Sequence, residues 1–144
     1  METKHFNGMR VLDQQTINDI IAWCEQDKYL TGGQVNDIEK RLSDGDGGYK
    51  DVSYKRWHFE KRGAIFGVYT YCLIDIQELM LEQYVATIEV GVKQEGKDDM
   101  KYPTVLRMYE SIRDVNDLRR LVRLGWNVVK TGETIVRRQH FLDC

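Results

Sequence analysis

The sequence predicts an α+β domain, a mainly antiparallel sheet with two N-terminal helices and one later helix packed on it. Three observations predict it. Apolar residues recur at helical spacing before residue 43, the run Ser43-Asp-Gly-Asp-Gly-Gly48 then breaks the chain, and strand-type alternation takes over from Val52. Neighbouring strands joined by short connections pair antiparallel, and helices this short gain most of their stability by covering an apolar face.

Asp13 is the expected N-cap of a first helix over 14–27, where Ile17, Ile20, Ile21 and Cys24 form one stripe. Val35, Ile38 and Leu42 place a second helix over 34–43. Val52 to Glu60 reads as a strand, Lys61-Arg62-Gly63 as a turn, and Ala64 to Asp75 as a strand apolar on both faces and therefore central. Ile76 to Gln83 fits either a helical turn or a bulged strand. Alternation returns from Tyr84 to Val92, Gln94 to Lys101 is polar, and Thr104 to Ile112 follows Pro103 as another strand. Asp114 caps a helix over 115–124 that Gly125 is expected to end. Trp126–Lys130 and Thr134–Phe141 then suggest a hairpin around Thr131-Gly132-Glu133. No linker or repeat divides residues 1–144, which read as a single domain.

Composition narrows the function. Apolar residues make up 42% and charged ones 31%, with a formal charge of -2, so no global field draws the chain to nucleic acid or to an anionic membrane. No apolar run reaches the ~18 residues of a membrane span, and the N-terminus lacks the pattern of a signal peptide. Cys24, Cys72 and Cys144 are odd in number and widely spaced, which fits free thiols in a reducing, cytoplasmic setting. Alanine at only three positions and a single proline are a bias shared with small viral or phage accessory proteins.

Most catalytic patterns fail on their own spacing. None of Ser43, Ser53 and Ser111 sits in a Gly-x-Ser-x-Gly elbow. The glycine-rich stretch Gly45 to Lys50 lacks the ending of a phosphate loop, and Lys55 stands where a calcium loop needs glutamate. Arg62 to Tyr69 keeps fragments of an RNA-recognition strand but lacks the aromatic at Ala64 and the βαβ lead-in. His58 and Glu60 project from one face of a strand and, with Asp75 or Glu89, could hold a divalent metal for phosphodiester cleavage. That enzyme is the alternative reading.

The leading reading rests on arginine. Residues 113–138 carry a net +4, and Arg119, Arg120 and Arg123 lie opposite the apolar stripe of their helix. Guanidinium groups grip phosphate and carboxylate with paired N–H donors. The sequence thus points to a small, non-catalytic, cytoplasmic binding protein. Its expected site is Arg119, Arg120 and Arg123, assisted by Arg138 and His140, with no cofactor and no resident metal. The expected partner is a protein or an anionic small molecule such as a nucleotide, with nucleic acid less favoured and no membrane. Homo-oligomerisation is expected because helices on one side leave a sheet face to cover.

Overall fold

Five strands hydrogen-bond side by side in the order in which the chain makes them. They are β3 (Thr31–Ser43), β4 (Tyr49–Ile65), β5 (Val68–Met80), β6 (Gln83–Gln94) and β7 (Thr104–Ser111), each antiparallel to the next. A two-stranded hairpin, β1 (His5–Phe6) and β2 (Met9–Arg10), precedes helix α1 (Gln14–Gln26), and helix α2 (Val115–Leu142) follows the sheet. The computed structural model describes residues 5–6, 8–43, 49–80, 82–96 and 102–142, without the side chains of 36–43, 49–53 and 140–142. The Asp-Gly break at 44–48, the end of the polar run at 97–101 and Cys144 lie outside the described residues.

Both helices cover the same face of the sheet. Ile17, Ile20 and Cys24 of α1 and Leu118, Leu121, Val129 and Val136 of α2 are buried over Ile74, Ile88, Val90 and Val92. Each such side chain contributes ~1.5–3 kcal/mol on leaving water. The caps are the expected ones. Asp13 accepts the Thr16 N–H at 2.9 Å, and Asp114 accepts the Asp117 N–H at 2.7 Å. Strand β5 is central, as its two apolar faces require.

Among the described residues there is one N-terminal helix where two were expected. Residues 34–43 belong to β3. The helix-like spacing arises from a bulge. Val35 stands opposite Arg56 and Ile38 opposite Tyr54, so three steps on β3 match two on β4. Spacing of three on a bulged strand imitates one turn of helix. The stretch 76–80 is likewise a strand with a register shift between Glu78 and Met80.

The second correction is larger. No hairpin follows Gly125, because α2 runs unbroken for 28 residues. Valines and a Thr-Gly pair suggested strands, yet Leu118, Leu121, Gly125, Val129, Gly132 and Val136 keep a helical period along the buried side. The two glycines are points of close approach, not stops. A Cβ at Gly125 would meet Val90 Cγ2 at 2.6 Å, and one at Gly132 would meet Val92 Cγ2 at 2.6 Å.

The expected turn at Lys61-Arg62-Gly63 also moves. Those residues continue β4, opposite Cys72, Tyr71 and Thr70. The chain reverses at Phe66-Gly67, whose φ values of 52° and 77° fit the two-residue turn that suits strand twist. Phenylalanine is strained in this left-handed region, and Phe66 is 95% exposed, so no packing offsets the strain. Replacing it with asparagine, which visits this region readily, is expected to stabilise the fold by ~1 kcal/mol in urea denaturation.

Candidate functional site

Two buried anchors bring distant arginines together. Leu12 exchanges backbone hydrogen bonds with Tyr84 at 2.7 and 3.1 Å, and Ile112 N–H donates to the Ala86 carbonyl at 2.8 Å. Both attachments lie at the start of β6, two residues apart. Arg10 stands two residues before the first anchor and Arg113 directly after the second. The two arginines therefore meet at the base of α2, where Arg120 joins them one turn along. They line an open groove of about 440 Å³ with His5, Gly8, Glu110, Ser111 and Asp117.

Asp117 sets the geometry. Its carboxylate is only 5% exposed and accepts the Arg113 backbone N–H at 3.0 Å, one residue before the Asp114 cap. The same carboxylate takes the Arg120 guanidinium through Nη2 at 2.7 Å and Nε at 3.2 Å, and Arg113 Nη2 at 3.4 Å. Burial works against the charge on Asp117, but the hydrogen bonds from Arg120 and Arg113 outweigh it and hold its pKa below the usual 3.8. Both guanidinium groups remain more than half exposed. A guanidinium has five N–H donors, so those not used on Asp117 are free to face a ligand. The groove holds three guanidinium groups against two carboxylates, and one of those is already engaged. The N-terminal end of α2 adds a positive dipole.

The expected patch divides. Arg120 lies in the groove. Arg119 and Arg123 are exposed and fall, with Lys130 and Arg137, within ~40° of one another around the α2 axis on the side facing solvent. Arg138 is exposed but ~27 Å along the helix from Arg120, too far to share one small ligand with it. The side chain of His140 lies outside the described residues. Sequence reading missed Arg10 and Arg113. A signal for Arg113 was present, since it and Arg120 sit four residues before and three after the capping Asp117, within reach of one carboxylate. Nothing local marks Arg10, because its place depends on the Leu12–Tyr84 pairing.

His58 and Glu60 lie on the sheet face opposite the helices. His58 Nδ1 is 2.9 Å from Asp75 and Nε2 is 3.2 Å from Glu60, while Arg56 and Arg62 close the row on the same two carboxylates. Both ring nitrogens are engaged, whereas a metal ligand must offer one lone pair. Among the described residues, no group of three His, Cys, Asp or Glu side chains is placed to hold a metal. Glu89 is drawn away to Arg107 at 3.0 Å. Burial lowers the His58 pKa, but the hydrogen bonds to Asp75 and Glu60 prevail and raise it above 6.5. This contribution to stability is complete below about pH 6.5 and is lost as pH rises through the folded value. The buried thiols are unreactive, since burial pushes Cys24 up to about 12 and Cys72 to about 11.

No family model, curated protein or solved structure matches the chain. Its site is read from its own geometry. If Asp117 positions the arginines, Asp117→Asn should cost ~1–3 kcal/mol at neutral pH in urea denaturation, because it weakens the bond from the Arg113 backbone and two charge-assisted bonds together. The depressed Asp117 pKa adds a sign. Its share of stability is present above pH 3.8 and lost as pH falls through the folded value, so the gap between wild type and variant should narrow in acid.

Proposed function

We propose that the protein is a non-catalytic binding protein that captures an anionic ligand in the groove at the base of α2, with Arg10, Arg113 and Arg120 as its contacts. The observation that carries this reading is the convergence of three guanidinium groups on one open cavity, two of them oriented by a buried carboxylate. Its volume suits a ligand of nucleotide size. A molecule with two or more phosphate or carboxylate groups matches the donors best. The buried free thiols Cys24 and Cys72 suit a reducing, cytoplasmic setting.

Calorimetric titration with pyrophosphate and a nucleoside diphosphate tests the reading. Binding should weaken with salt, and Arg10→Gln or Arg120→Gln should each lower affinity ~10-fold or more. Reversing Arg119 and Arg123 to Glu should leave it nearly unchanged. Loss on that reversal, with both glutamine variants still binding, would move the site to the solvent stripe of α2. No binding at low salt would end the reading.

Self-association stays within the proposal at the edge of the sheet. Strand β7 has no partner on its outer side among the described residues, and the helix above it exposes Leu124 and Ile135. A native mass of one chain by light scattering would remove this part.

A further inference from the structure

Lys61 breaks the pattern of its strand. Trp57, Phe59 and Lys61 stand opposite Ile76, Ile74 and Cys72, all buried, so this lysine points to the helix-covered side of the sheet. Among the described residues, no carboxylate lies within ion-pair distance of it. Its ammonium rests instead on aromatic faces, 3.9 Å from the Trp126 ring centre and 4.8 Å from that of Tyr29. A cation held by ring faces alone is held weakly and is available to an anion.

Beside it is a cavity of about 70 Å³, walled by Trp23, Asp27, Leu30, Cys72, Val122 and Trp126. A second cavity, of about 20 Å³, lies between β5, β6 and α2 and shares Cys72, Val122 and Trp126 with the first. Lys61 lines both. Neither cavity, nor the two together, reaches the roughly 150 Å³ of a benzene-binding site, so a ring enters only if the Lys61 stem swings out and vacates the space it fills. The charges at the mouth select the sign of the guest. Lys28 also lies 4.9 Å from the Tyr29 ring, and the nearby Asp27 carboxylate already accepts the Tyr29 N–H at 2.8 Å.

We propose that this cavity is a second binding site, specific for a small aromatic carboxylate whose ring stacks on Trp126 and whose carboxylate pairs with Lys61. The site is separate from the arginine groove and does not depend on it. Lys61 acts as both gate and counter-ion, giving up two π contacts for one ion pair among aromatic rings.

Phenylacetate, benzyl alcohol and benzylamine share one ring and differ in charge, so they test the assignment on the full chain by tryptophan fluorescence and thermal shift. Phenylacetate should bind and raise the melting temperature, with benzyl alcohol weaker and benzylamine weakest. Lys61→Met, which removes only the charge from a flexible stem, should lower phenylacetate affinity ~10-fold or more with circular dichroism unchanged. Arg120→Gln should leave phenylacetate binding intact. The proposal is overturned if benzylamine binds as well as phenylacetate, if Lys61→Met binds it as tightly as wild type, or if Arg120→Gln abolishes it. It is equally overturned if phenylacetate produces no response up to ~10 mM, a concentration that would reveal even a weak complex.

Discussion

Helix α2 reaches the sheet because two of its residues have no side chain. Gly125 and Gly132 lie seven apart, on nearly the same side of the helix, and meet Val90 and Val92, two apart on one strand. At both places an added methyl would collide with valine. Much of the molecule follows from that contact. It seats Leu118, Leu121, Val129 and Val136 in the core, carries the Asp117 end of the helix to the end of β7, and lays Trp126 over Lys61.

The sequence states locally determined features well and distant ones poorly. Asp13 and Asp114 are legible as caps because capping needs only a short oxygen-bearing side chain and the next turn. The central position of β5 is legible from its apolar residues on both faces. The bulge of β3 is not, because its spacing of three is shared with a helix, and only pairing with Arg56 and Tyr54 distinguishes them. Gly125 misleads for a related reason. A glycine that ends a helix and one that admits a neighbouring strand look identical until the neighbour is known. The same limit applies to the groove. Arg120 was visible on its helix, whereas Arg10 depends on Leu12 finding Tyr84 across most of the sheet.

Charge is distributed unequally over the two sides of the sheet. On the open face, Asp75 and Glu60 take up His58, Arg56 and Arg62, and Glu89 takes up Arg107. Glu89 also accepts a hydrogen bond from Tyr71, which, after burial, helps push that phenol to about 12. On this face the charges compensate one another around Tyr71 and Val85, which are buried. Exposed pairs of this kind contribute only ~0–1 kcal/mol each. The groove differs because its buried acid orients two arginines while leaving cationic charge in excess.

The strand order has a kinetic corollary. Since every strand pairs with its neighbours in sequence, hairpins can zip one after another over short loops, and the entropy of closing each loop is small. Helix α2, by contrast, must wait for a formed β6 before Val90 and Val92 offer it a seat. The valine surface therefore faces water in any partly folded species that lacks the helix, and that transient exposure is where aggregation during folding would begin.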